Sequence, residues 1–196
     1  DGARDPEVPV LVVRGKEDGK IFSVWSVYCM HPTVLHEDSK LYSADFPGYT
    51  RKQLAEDLGE DCVYLYATGP EGNQSPRHFI ESTTFSEAER LGRMLGERIS
   101  SAVDKLGDGD FRNRISLSVK SEKLDLPRKT FRNVEAADKR LNEVQDRYTR
   151  MKKNNESRSE VRTAECDLFG AEEQAQLARK QASGELDTLY RRLLPI

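Results

Sequence analysis

At 196 residues the chain is long enough to bury a real core, as one domain or one domain with an appendage. Charged residues make up 33% and hydrophobic ones 36%, a balance that suits a compact part joined to a solvated helical part. Net charge is -3 with acidic and basic residues interleaved through the second half, which argues against a nucleic-acid partner, and the longest apolar runs, 8–13 and 63–67, are too short for a transmembrane segment.

The chain opens Asp1-Gly2-Ala3-Arg4 without an initiator Met and closes on the apolar Leu193-Leu194-Pro195-Ile196, so a processed or truncated precursor is the expectation. No signal sequence opens it, and the compartment stays open between secreted or periplasmic and cytoplasmic. The three cysteines, Cys29, Cys62 and Cys166, are far apart and show no CxxC spacing, so neither a disulfide framework nor a zinc knuckle is expected. Cys29 and Cys62 fall in segments that read as buried strands, where a free thiol acts as a small hydrophobe.

Residues 8–13 and 21–28 are rich in β-branched and aromatic side chains, and Lys16-Glu17-Asp18-Gly19 between them supplies a turn, which predicts a β-hairpin. A helix is expected over 47–58, with Leu54 and Leu58 at helical spacing and Gly59 as its stop. Residues 62–67 then read as a short central strand, and the order strand, helix, strand implies a crossover with parallel pairing. Ser86 with Glu89 reads as a capping box, opening a helix whose stripe runs Phe85, Ala88, Leu91, Leu95, Ile99, Ala102, Val103 and Leu106. The alternation over 114–121 predicts a strand with one solvated face. From residue 133 the spacing becomes that of two long helices broken at 154–157, with a narrow, Ala-rich stripe suited to an antiparallel hairpin. The expected architecture is therefore α/β: a mixed, partly parallel sheet flanked by helices over 1–127, and an appended helical hairpin over 128–196.

Three loops fall where strands should end, the place where open α/β sheets gather ligands. His31 follows a strand and precedes Pro32, which favours extended backbone at His31 and leaves the imidazole open to metal ligation or general-base work, or to a purely structural place. His36 and His78 read as loop-surface residues, because a His31/His36 pair lacks the HExxH spacing that sets two ligands on one helix face. Asp45 stands at a helix start, where capping competes with a role in the site. The turn Gly69 to Ser75 has no Lys and so no phosphate loop; it presents Gly72, Asn73, Gln74 and Ser75, with backbone N–H groups that can hold an oxyanion. Ser75 lacks a G-x-S-x-G elbow.

Taken in order, Asp5-Pro6-Glu7-Val8, Tyr28-Cys29-Met30-His31-Pro32-Thr33-Val34-Leu35, Ser43-Ala44-Asp45-x-x-Gly48-Tyr49 and Gly72-Asn73-Gln74-Ser75-Pro76 resemble the neutral/alkaline (non-lysosomal) ceramidase family, bacterial relatives included. The resemblance covers residues 5–106 and corresponds to the middle of that family's catalytic domain. It implies a zinc-dependent hydrolase of N-acyl linkages in which metal-activated water attacks the carbonyl. By position His31 is similar to the strand-end zinc ligand, Ser75 to the serine of a G-D-x-S-P stretch near the reacting group, and Asp45 and Tyr49 to an S-G-D-x-x-G-Y segment that lines the site. Gly72, Asn73 and Gln74 would contact substrate. Asn73 in place of Asp, Arg77 in place of Asn and Ala44 in place of Gly are departures that bear on ceramide specificity.

The family's upstream His-x-His and its downstream Glu and Tyr ligands have no counterpart here, so zinc would be completed from outside this chain, by the rest of a precursor or a second polypeptide. The substrate implied is a small N-acyl compound, a lipid among the choices. The competing reading is a non-catalytic interaction module that docks a partner through the helical hairpin.

Overall fold

The computed structural model describes residues 5–36, 39–76, 79–127 and 129–193. The chain forms two compact units, Asp1–Ser118 and Val119–Ile196.

In the first unit β1 (Val10–Arg14) and β2 (Ile21–Tyr28) pair antiparallel, with Leu11 opposite Trp25 and Val12 opposite Val24. The turn closes through the Gly15 N–H on the Lys20 carbonyl at 2.8 Å, and Gly19 takes φ 68°, a left-handed conformation that glycine adopts without a Cβ penalty. The chain then crosses over through α1 (Asp45–Leu58) to β3 (Val63–Thr68), which pairs parallel to β2 with Trp25 opposite Leu65. A mixed, partly parallel sheet results, in the order β1-β2-β3. The expectation that residues 62–67 form the central strand is corrected: β2 is central, and β3 is an edge.

The predicted strand over 114–121 is also corrected, since these residues form no ladder and Ile115, Leu117 and Val119 are exposed. Alternation tells which side chains share a face, but a strand needs backbone groups to pair with, and no described strand offers them here.

α2 (Phe85–Val103) packs along α1. Val12, Val24 and Tyr64 face these helices and meet Leu54, Ile99 and Val103 in the main core; each such side chain contributes about 1.5 to 3 kcal/mol on burial. Gly92 and Gly96 let the two helices approach closely: a Cβ on Gly92 would lie 2.4 Å from the Phe46 carbonyl oxygen. The α2 start differs from the Ser86–Glu89 box. Thr84, extended at φ -122° and ψ 159°, is the N-cap and accepts the Glu87 N–H at 3.3 Å, while Glu87 Oε1 accepts the Glu81 N–H at 2.9 Å. Ser86 is already helical and cannot cap, and Glu89 instead holds Arg93 at 3.1 Å. The helix ends at Val103, so Leu106 lies outside it.

Cys29 and Cys62 are buried free thiols but flank the strands, directly after β2 and directly before β3. On the sheet face turned away from α1 and α2, Leu11, Trp25 and Leu65 form an exposed row.

The second unit contains α3 (Val134–Lys153) and α4 (Arg158–Ala182). Ala137 meets Ala175 and Ala178, and Val144 meets Leu168 and Ala171, so the helices run antiparallel as the sequence predicts. The expectation of two helices is corrected at the C-terminal end: the second breaks at Ser183-Gly184, with Gly184 at φ 76°, and α5 (Glu185–Leu193) follows. Alanines and leucines at helical spacing continue across this break, which hides from periodicity a turn that one left-handed glycine imposes. Among the described residues no helix is long and apolar enough to cross a membrane.

Candidate functional site

β2 and β3 run parallel and end side by side at Tyr28 and Thr68, so the loops that follow them meet. The His31 N–H donates to the Gln74 carbonyl at 3.2 Å, and the Gly69 N–H to the Tyr28 carbonyl at 3.1 Å. Glu71, on the second loop, places Oε1 3.0 Å from His31 Nδ1. Its other oxygen, Oε2, is buried and has no hydrogen-bond partner. A carboxylate on Nδ1 fixes the ring and leaves Nε2 for other work, the arrangement in which histidine ligates a metal or moves a proton. No sequence pattern marks Glu71, because it is brought to His31 only by the parallel pairing of β2 and β3.

The same two loops border a cavity of about 500 Å³, within the range of ligand-sized pockets, through Met30 and Ser75; neither His31 nor Glu71 lines it. The strand end supplies Tyr28 and Met30, α1 supplies Phe46, the second loop Ser75 and Pro76, and α2 Leu91, Met94, Leu95 and Arg98. Phe46 anchors the wall through edge-to-face contacts with Tyr28 at 6.1 Å and Tyr66 at 5.9 Å between ring centres. The Tyr66 hydroxyl donates to the Met30 carbonyl at 3.2 Å, which ties β3 to the segment carrying His31. Burial pushes the Tyr66 phenol far up, with Tyr64, Glu71 and Tyr28 adding to the shift, and it pushes Tyr28 up as well. Both therefore stay neutral hydrogen-bonding groups. Burial, with Asp5 and Glu71 nearby, raises the Cys29 thiol, which disfavours a thiolate nucleophile.

Asp45 resolves toward structure. It is buried with φ 51°, its Oδ2 accepts the Leu35 N–H at 2.9 Å, and its Oδ1 accepts the Phe46 N–H at 2.8 Å. Both oxygens are spent pinning the His31-to-Leu35 loop to the start of α1; Ala44, not Asp45, occupies the N-cap position. Tyr49 sits on α1 and packs against α2 at Gly92, with Lys52 Nζ 5.0 Å from its ring centre. The structure thus brings His31 and Ser75 to adjoining loops and sets Asp45 and Tyr49 to positioning the wall behind them.

Gly72 and Asn73 are exposed, and Gln74 uses its backbone N–H on the Glu71 carbonyl at 2.7 Å. With the Gly69 N–H also engaged, two of the backbone donors expected to hold an oxyanion are occupied. His36 is half-buried, and Arg77 and His78 lie outside the described residues.

Among the described residues no three His, Cys, Asp or Glu side chains gather as a metal-binding group. A catalytic zinc takes about three protein ligands and a water, so the donors among the described residues do not by themselves fit one. No family model, curated protein or solved structure matches the chain.

Proposed function

We propose that the α/β unit is part of a metal-dependent hydrolase acting on an N-acyl linkage, of the kind the ceramidase resemblance implies. The observation that carries this reading is the His31–Glu71 pair, set at the carboxyl ends of two parallel strands on loops whose Met30 and Ser75 line an apolar cavity. In it His31 supplies one metal ligand through Nε2, oriented by Glu71, and the remaining ligands come from another polypeptide or a further part of a precursor.

The roles of this chain's own residues follow from their places. Phe46, Leu91 and Leu95 form an apolar wall for an acyl chain and exclude water from it. Ser75, at the cavity lining, supplies a hydroxyl to the linkage, and Asp45 keeps the His31 loop in register with α1.

The test is metal analysis of the native, unchelated preparation together with every polypeptide that co-purifies, followed by an assay on a fluorogenic N-acyl amide. The expected result is bound zinc in an assembly that hydrolyses the amide, with zinc lost in His31→Ala while the circular dichroism is unchanged. Unchanged zinc in that variant overturns the ligand assignment. A single metal-free, inactive species favours the interaction module and moves attention to α3 and α4.

A further inference from the structure

α2 carries three neighbouring arginines, and only one of them faces the cavity without a partner among the described residues. Arg90 is held by Glu87 at 2.7 Å, and Arg93 by Glu56 at 2.8 Å and Glu89 at 3.1 Å. Arg98 is exposed, lines the cavity and makes no hydrogen bond or ion pair with any described residue. A guanidinium is weakly hydrated and presents a planar fork that matches a carboxylate, so an unpaired one at the mouth of an apolar cavity is a ready anion receptor.

The cavity has a direction. Leu91 and Arg98 are seven residues apart, about 10 Å along the helix. The Arg90 guanidinium lies 5.2 Å from the Phe79 ring centre, which sets the loop that includes Ser75 and Pro76 toward the Leu91 end. One end is therefore cationic, the other carries the Ser75 hydroxyl, and the length between them is lined by Met30, Phe46, Leu91, Met94 and Leu95.

We propose that this cavity binds a medium-chain amphiphile with a single carboxylate head, the head on Arg98 and the chain along α2 toward Ser75. The inference rests on the reading of this cavity as an acyl-chain site and not on the hydrolysis proposed above: with its head on Arg98 this ligand lies reversed relative to a substrate whose linkage meets Ser75, and so occupies the cavity as a competitor of that substrate. It predicts a ligand selected for negative charge, which an uncharged acyl amide would not be. A free fatty acid and an N-acylated amino acid share this chemistry.

The experiment is calorimetric titration of the full chain with decanoate, N-decanoylglycine, 1-decanol and decyltrimethylammonium, each below its micelle concentration. The expected result is that one or both carboxylates bind at least about tenfold more tightly than decanol, as a charge-assisted bond to a guanidinium supplies; which of them binds tighter identifies the source. Arg98→Gln should remove the preference and leave decanol binding unchanged. Lys105→Gln, a charge removed just past the end of α2, should change nothing. Met94→Gln, on an exposed lining residue, should weaken every chain. Emission from the single tryptophan, Trp25, verifies that each variant keeps its fold. Equal binding of decanol and carboxylates, or a preference that survives Arg98→Gln, overturns the anion selection and leaves the acyl-chain site standing. Binding of none of the four to folded protein overturns both.

Discussion

Thr50, Ser26 and Asp45 are buried in the α/β unit, and each has its partners: the Thr50 hydroxyl lies 3.0 Å from the Gly92 carbonyl, Ser26 2.6 Å from the Tyr64 hydroxyl, and Asp45 on two backbone N–H groups. Among the described residues the buried polar ones all lie in the α/β unit, and the seam of the helical hairpin is Ala137, Ala164, Ala171, Ala175 and Ala178 with Val144 and Leu168. Its polar links, such as Tyr148 to Glu165 at 2.9 Å and Arg179 to Asp138 at 2.5 Å, run at the edge of the seam. A site needs groups held in one geometry, and satisfied buried polar groups enforce one arrangement where small apolar contacts tolerate several. That difference puts the candidate chemistry in the first unit.

The comparison predicts different costs for similar changes. Leu54→Ala, at the middle of the main core, should destabilise the α/β unit by about 3 kcal/mol in a denaturant titration followed by Trp25 emission. Asp45→Ala should cost about 2 kcal/mol in the same titration, because one buried and one half-buried N–H group lose their carboxyl acceptor, and should loosen the His31 loop, seen as faster exchange of the Leu35 amide. A cost under about 0.5 kcal/mol would remove Asp45 from its positioning role.

Two glycines to alanine sharpen the contrast further. Gly92→Ala must push apart α1 and α2, where Phe46 O and Tyr49 Cβ stand 2.4 and 2.5 Å from the new Cβ, for a net loss of about 1 to 2 kcal/mol. Gly170→Ala on α4 meets nothing within 4 Å and should stabilise the hairpin by about 0.5 to 1 kcal/mol, read as a higher midpoint of helical circular dichroism. Opposite signs are required; the same sign at both positions would break the comparison.

The smallest effect is on acid stability. The Arg90 hydrogen bonds hold Glu87 below the usual carboxylate range, against the opposing effect of burial. In the hairpin burial pushes Glu165 up, but hydrogen bonds from Arg162 and Tyr148 outweigh it and leave that carboxyl lowered too. A depressed folded pKa means the stability is complete above the unfolded value near 4.3 and is lost as pH falls through the lower folded value. Glu87→Gln and Glu165→Gln should each flatten the acid limb of their own unit's stability, measured by denaturant titration at several pH values below neutrality.

The elements that carry large, periodic apolar surface were legible: β2 over Ile21–Tyr28 and the first long helix of the hairpin announce themselves by what they must bury. The segment 114–121 misled for the same reason, since its alternation has the form of a strand without the partner that makes one. The cap of α2 was misplaced by two residues because Thr84 and Ser86 are both good capping residues, and only the backbone angles choose between them. Of the candidate site, His31 and Ser75 were visible as polar residues after strand ends, and Asp45 was visible as a residue at a helix start.

What the sequence determined by itself is local: which segments become helix or strand, which faces are apolar, and which loops follow the sheet. Tertiary structure decided who meets whom. Glu71 reaches His31 from 40 positions away because β3 docks parallel to β2. Arg98 reaches the cavity from a helix that sequence alone would assign only to the core. Spacing along a chain encodes direction over a turn or a pleat, whereas contacts between distant segments depend on how whole elements dock, and no single segment carries that information.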